Sequence, residues 1–183
     1  VMTASAGASD DSLQPATEWQ SPHEELLEVL HAPQRPWLWT APTGEYLLLA
    51  DPMLFPPLAE LAAPMHKLAG IRVNPAISGH HGQHGGTSPR LVRVENGATT
   101  PLDLPADAEV HGVEWTVDGQ RFALTVGHAD HIGLWVGSVE GGVTRIEELA
   151  LNPLMGTAVS WLPDQERLLV RRIPKRGRTP EPT

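Results

Sequence analysis

The sequence predicts an all-β fold, and within that class part of a β-propeller, on three observations. Pro (18) and Gly (17) make up about a fifth of the 183 residues, a share that favours turns over long helices. Short runs of strand-forming residues alternate with hairpin dipeptides such as Asn96-Gly97 and Asp118-Gly119. One pattern also recurs, because "WTVDGQRFALTV" from Trp115 is matched by "WLPDQERLLV" from Trp161. A repeat of about 40 to 50 residues that holds four strands is typical of a propeller blade.

The repeat sets the expected number of blades. A weaker copy, "TAPTGEYLLLA", starts at Thr40. The residues between Trp115 and Trp161 provide one complete blade, whereas the longer stretch from Thr40 to Trp115 predicts an expanded blade with insertions at 51–68 and 74–89. About two to three four-stranded blades are therefore expected, and a propeller usually needs at least four. The alternative is a β-sandwich that contains similar hairpins.

One good helix is predicted before the strands, at 22–31. Ser21 is the expected N-cap, Pro22 takes the first helical position, and Glu24 completes a capping box. The apolar stripe, expected to pack outside the propeller or against a partner domain, consists of Leu26, Leu27 and Leu30.

The remaining elements are short. Residues 56–64 allow only a turn or two of helix between prolines. Strands are predicted at 45–50, 69–73, 90–95, 98–104, 110–115, 120–126, 132–139, 143–149, 157–161 and 167–173. The predicted organisation is a disordered leader at 1–20, a helical segment at 21–36, blades at 37–174 and an exposed linker at 175–183.

Charge and composition exclude several partner classes. The net charge is −9, and five basic residues cluster near the end, which leaves the remainder strongly acidic and argues against nucleic-acid binding. We interpret the cluster as a solvated loop, with a basic recognition tail as the alternative; it comprises Arg171, Arg172, Lys175, Arg176 and Arg178. No apolar run approaches the roughly 18 residues of a membrane helix, and residues 1–17 lack the features of a secretory signal. A cytoplasmic location is the default, and cysteine-based sites are excluded because the chain has no cysteine.

Four stretches, "APTGEYLLLAD", "WTVDGQRFAL", "IGLWVGSVEGG" and "SWLPDQERLLV", resemble the blades of the prolyl oligopeptidase family of serine peptidases. The order "ELLEVLHAP", "PPLAELAAPMHKLAGIRVNP" and "LPADAEVHGVEWTVDG" is similar to the amino-terminal part of its glutamyl endopeptidase-like, acylaminoacyl-peptidase-like bacterial and plastid branch. The resemblance runs from about Glu24 to Pro174. Thr43 and Gln165 depart from the Asp and Gly of the blade turns, and the "HHGQHGG" loop matches no part of the pattern.

The resemblance implies that this chain is the propeller part of a longer enzyme and that another domain carries the catalytic residues. An α/β-hydrolase domain outside this chain would carry a Ser-Asp-His triad, with the nucleophile in a Gly-x-Ser-x-Gly motif. Gly137-Ser138 comes closest to that motif but lies in a predicted strand, so we expect no catalytic residue here. The propeller would cover the active site and admit only short or unfolded peptides. The expected partners are the remainder of the polypeptide and peptide substrates, with homo-oligomerisation left open and no cofactor expected.

Two other functions remain open from the residues alone. A stand-alone propeller could serve as a protein-interaction scaffold without catalysis. A small periplasmic binding module could use the histidine-rich loop. A hydrolase segment in the same gene would select the peptidase interpretation over both.

Several residues are candidates for contacts with ligands. Arg72 and Arg93 alternate out of apolar strands and could pair with a substrate glutamate through a bidentate contact, although solvent-facing positions are the alternative. The histidines, interpreted as surface-loop residues rather than metal ligands, are His80, His81, His84, His128 and His131. Trp37 and Trp39 are expected to pack between blades, with ligand stacking as the alternative.

Overall fold

The structure is a computed structural model that describes residues 21–53 and 55–174. The predictions of a disordered leader at 1–20 and an exposed linker at 175–183 lie outside the described residues. The helices are α1 (Glu24–Leu30) and α2 (Leu58–Leu61). The strands are β1 (Trp37–Thr40), β2 (Tyr46–Pro52), β3 (His66–Leu68), β4 (Ile71–Asn74), β5 (Gly79–His80), β6 (Gly86–Arg93), β7 (Thr99–Pro101), β8 (Glu109–Trp115), β9 (Arg121–Gly127), β10 (Ile132–Ser138), β11 (Val143–Ile146), β12 (Val159–Trp161) and β13 (Leu168–Val170).

The strands form two four-stranded antiparallel units and the beginning of a third. Blade one pairs β1, β2, β6 and β7 in that order, and blade two pairs β8, β9, β10 and β11. A single residue pair, Gly86 with Val110, joins β6 to β8. The hairpin β12–β13 opens blade three. The prediction of an all-β, partial propeller is confirmed.

The three predicted turns have the same hydrogen bonds. The amides of Ala41, Thr116 and Leu162 donate to the carbonyl oxygens five residues later, over 2.8–2.9 Å. The amide three residues after each of them donates back to its carbonyl oxygen, over 2.8–2.9 Å. That third residue has a positive φ in every copy, at Gly44, Gly119 and Gln165. The recurring sequence therefore encodes one recurring turn, and Trp115 and Trp161 occupy equivalent strand ends.

Two hydrophobic cores lie between neighbouring blades and join them. The first lies between blades one and two and contains Leu48, Leu91, Val110, Phe122 and Leu124. The second lies between blades two and three and contains Ala123, Ile132, Leu134, Leu151 and Val159. Successive residues of a strand point to opposite faces, so β9 contributes Phe122 and Leu124 to one core and Ala123 to the other. Blade two is thus packed on both faces.

A single insertion connects β2 to β6 within blade one. It contains α2 and a separate three-stranded antiparallel sheet, β3–β4–β5. The two insertions predicted at 51–68 and 74–89 are therefore parts of one insertion, and blade one resumes earlier than expected, at Gly86. The strand predicted at 69–73 is wrong at its start, because Ala69 and Gly70 both have positive φ and form the β3–β4 turn.

The helix begins later than the sequence predicted. The N-cap is His23, whose extended backbone (ψ 146°) puts Glu24 first in the helix and leaves the cap without a side-chain hydrogen bond. The predicted Ser21 cap and its capping box with Glu24 are therefore wrong. Leu26 and Leu30 are 58% and 67% exposed, and the packing of their stripe stays a prediction.

Candidate functional site

A cavity of about 300 Å³ lies between the first strands of blades two and three. One wall is β8, from His111 to Glu114, and another is the segment from Pro153 to Val159 that leads into β12. The blade-one insertion contributes Ile77, His80 and Gln83. We call this space the interblade cavity. Its volume is at the lower end of the range for small-ligand sites.

The pleat of β8 directs Glu114 into this cavity. Val113 and Trp115 pack against the first core, so the alternate residues Gly112 and Glu114 face blade three. A bulge in the pairing with β9 lies between Val110 and Gly112. A side-chain carbon built on Gly112 would meet no atom within 4 Å. The missing side chain of Gly112 therefore leaves open space in the cavity that Glu114 also lines.

Glu114 is a half-buried carboxylate without a nearby compensating charge. Burial raises its pKa, because the charged form loses water that nothing in the surroundings replaces. No ion pair within the described residues includes it. Its backbone carbonyl oxygen accepts a hydrogen bond of 2.9 Å from the Trp161 indole, which holds blade three next to it.

His111 supplies an imidazole to the same cavity. Burial lowers the pKa of His111, with Glu109 acting in the opposite direction and His84 adding to the decrease. The ring lies over Gly127, where any larger residue would collide with it. At neutral pH the group is therefore an uncharged imidazole that can donate or accept one hydrogen bond.

The histidine-rich loop makes more contacts with the rest of the protein than we expected for a surface loop. His80 lies on β5 and lines the cavity. The His81 amide donates to the Arg72 carbonyl oxygen over 2.9 Å. His84 is only 16% exposed, with its Nδ1 atom 3.2 Å from a Glu60 oxygen, although that atom lacks hydrogen-bond geometry to any partner. The surface-loop interpretation is thus wrong for His84, because the loop closes against blade two.

The second histidine group lies at the β9–β10 turn. The rings of His128 and His131 stack with centroids 4.7 Å apart. His131 Nδ1 lies 2.6 Å from an Asp130 carboxylate oxygen, and its Nε2 lies 2.9 Å from an Arg145 guanidinium nitrogen. Across residues 21–53 and 55–174, no group of three or more potential ligands could hold a metal ion.

The predicted arginines lie away from the cavity lining. Arg72 is an exposed residue of β4 in the insertion. Arg93 is exposed at the end of β6, with its guanidinium carbon 5.3 Å from the centre of the Tyr46 ring. The structure does not bring the two together at the interblade cavity. The sequence analysis missed Glu114 and His111, although Gly112 between them is the signal that could have pointed to an irregular strand with open space beside it.

The tryptophans and Ser138 have packing and turn contacts. Trp39 and Trp115 pack against the first core, and Trp161 packs against the second. Trp37 is 39% exposed and lies against Trp39, with ring centroids 5.9 Å apart. Ser138 ends β10, and its hydroxyl accepts the Gly141 amide over 2.9 Å. Ser138 thus closes the β10–β11 turn.

Comparison with known proteins identifies peptidases as relatives. No family model matches the chain. It is 30% identical over 196 aligned residues to a probable glutamyl endopeptidase, chloroplastic, of Arabidopsis thaliana, covering 98% of this chain and 20% of the relative. It is 29% identical to the protein of the same name from Oryza sativa subsp. japonica, covering 89% of this chain and 19% of the relative. The chain therefore spans about a fifth of the length of these relatives, and its resemblance to the glutamyl endopeptidase-like branch is confirmed.

The chain also matches solved structures. One of them is a crystal structure of a candidate dipeptidyl aminopeptidase IV from Bacteroides ovatus ATCC 8483, with 17% sequence identity and a TM-score of 0.37. The match covers 69% of this chain and 19% of that one.

A membrane-spanning helix is not among the elements of the described residues, since none is long and apolar enough. The cytoplasmic location stays a prediction, and the two curated relatives are named as chloroplastic.

Proposed function

We propose that this chain is the substrate-gating propeller portion of a serine peptidase that hydrolyses short or unfolded peptides. The observation that carries the proposal is the similarity to glutamyl endopeptidases over almost the whole chain, at about a fifth of their length. The repeated turns and the interblade cores support the propeller part of the proposal.

The catalytic residues belong, in this proposal, to the remainder of a longer polypeptide. A Ser-Asp-His triad needs a nucleophile exposed on a sharp turn next to an oxyanion hole. Ser138 instead lies at the end of a strand and accepts the Gly141 amide. A relative about five times as long as this chain has room for further blades and a hydrolase domain.

The test is chemical labelling of the full-length polypeptide with a fluorophosphonate, which reacts with activated serines. The label should map outside residues 1–183, and the protein should cleave a short peptide much faster than a folded protein of the same sequence context. A label within this chain would overturn the assignment. Absence of both label and hydrolysis would select the non-catalytic scaffold instead.

Arg72 and Arg93 are our proposed contacts for a substrate glutamate. Both are exposed, and neither belongs to an ion pair with a described residue. Replacing each with Met keeps the aliphatic stem but removes the charge. The rate ratio between peptides with Glu and with Gln at the cleavage position should fall, whereas an unchanged ratio in both variants would contradict the role.

A further inference from the structure

The interblade cavity combines three features that select one kind of ligand. It contains a carboxylate with no cation beside it, a neutral imidazole, and apolar walls. The apolar side chains are Ile77, Ile132 and Val159. The residues come from blade two, the segment that leads into and includes β12, and the blade-one insertion.

The carboxylate of Glu114 is the charge that needs a partner. A half-buried carboxylate is more stable when a cation replaces the lost water. The ion pairs of the described residues involve other carboxylates, those of Asp51, Asp130 and Asp164 among them. The cavity also has too few ligands for a metal ion, since no group of three or more potential ligands occurs in the described part of the chain.

The apolar walls determine what the cation is attached to. Ile77 comes from the blade-one insertion and packs against the second core, which contains Ile132 and Val159. Such walls favour an aliphatic stem that buries its methylene groups and presents a charged end to a polar group. A volume of about 300 Å³ accommodates one long side chain.

We propose that the interblade cavity is a binding site for the cationic side chain of a peptide, of the lysine or arginine type, with Glu114 as the residue that pairs with the charge. His111 offers a further hydrogen-bonding group beside the carboxylate. The inference rests on the proposed function, because it takes the occupant to be part of a peptide.

Binding is measured without turnover, by calorimetry on the full-length polypeptide. The probes are Nα-acetyl-lysine methylamide, Nα-acetyl-arginine methylamide and the neutral Nα-acetyl-norleucine methylamide. At least one cationic probe should bind about tenfold or more tightly than norleucine, the factor expected from one charged hydrogen bond. A fourth probe, norleucine methylamide with a free α-amino group, separates side-chain recognition from recognition of an amino terminus.

Two variants test the residues, and a third is the control. Glu114→Gln should remove the preference for the cationic probes. Gly112→Val should abolish binding by filling the open space at Gly112 in the cavity. Glu95→Gln, a matched change at an exposed glutamate in the β6–β7 turn, should have no effect.

Four results would overturn the inference: no binding of either cationic probe, equal binding of norleucine, an unchanged preference in Glu114→Gln, or binding that requires only the free α-amino group. The peptidase proposal fails separately, by absence of labelling and hydrolysis. A peptidase that ignores these probes would leave the proposed function standing and remove this site.

Discussion

Gln165 is the most informative position for a test of the blade repeat. It has φ +58° at the turn position that is Gly in the other two copies. Its side-chain oxygen accepts the Val117 amide of the neighbouring turn over 2.7 Å, and its side-chain nitrogen donates to the Leu162 carbonyl oxygen over 3.0 Å. The glutamine therefore connects the turns of blades two and three, at the cost of a strained backbone.

The side-chain hydrogen bonds and the backbone strain of Gln165 predict different stabilities for Gln165→Ala and Gln165→Gly. Gln165→Ala loses both hydrogen bonds and keeps the strain, so the free energy of unfolding should fall by about 1 kcal/mol. Gln165→Gly loses the same bonds but relieves a left-handed conformation that costs a non-glycine residue roughly 1–2 kcal/mol. The greater freedom of Gly in the unfolded chain reduces that gain by about 0.5–1 kcal/mol. The Gly variant should therefore be close to the unmodified protein.

Hydrogen exchange on the full-length polypeptide measures the local loss of the Val117 hydrogen bond, and denaturant unfolding measures the change in global stability. The Val117 amide should exchange about fivefold faster in both variants, because each loses its acceptor. The midpoint of denaturant unfolding should decrease only for Ala. Gln120→Ala, in the same turn as Val117, is the control and should change neither. The reasoning is refuted if Val117 exchange is unchanged, or if Gly destabilises as much as Ala.

Three further outcomes follow from burial, space and charge. Phe122→Ala should reduce the free energy of unfolding by about 3–5 kcal/mol, measured by urea denaturation, because Phe122 is fully buried between two blades. Gly86→Ala should lower the thermal midpoint far more than Gly112→Ala, because the new carbon would overlap Ala50 at the first site and meets open space at the second. Burial lowers the pKa of His111, so the unfolded chain takes up more protons as the pH falls below about 6.5. Urea midpoints should therefore decrease from pH 7.5 to 5.5, and less steeply in His111→Gln.

The repeat was predictable because its signals are local. A turn needs an Asp or Gly within a few residues of a strand, and Trp115 and Trp161 mark equivalent strand ends in the structure as in the sequence. The strand at 37–40 was missed because Pro36 and Pro42 flank it and because its residues, Trp-Leu-Trp-Thr, do not alternate between apolar and polar. Prolines at the ends of an edge strand are common.

The cavity was not predictable because its walls come from distant parts of the chain. His80 belongs to the blade-one insertion, Glu114 to blade two and Thr157 to the segment before blade three. No spacing rule connects these positions, since their proximity depends on how the blades pack. For Arg72 and Arg93, the alternation of apolar and polar residues was enough to predict that they are exposed. The alternation does not identify the ligand or protein surface that these side chains contact.

The double-sided burial of β9 has a mechanical consequence. Phe122 and Ala123 are adjacent in the chain, yet they belong to different hydrophobic cores. A small shift of the backbone at this point moves both side chains at once, because one peptide plane joins them. Displacement of blade one could therefore reach blade three through the covalent chain itself, with no intervening relay of side chains.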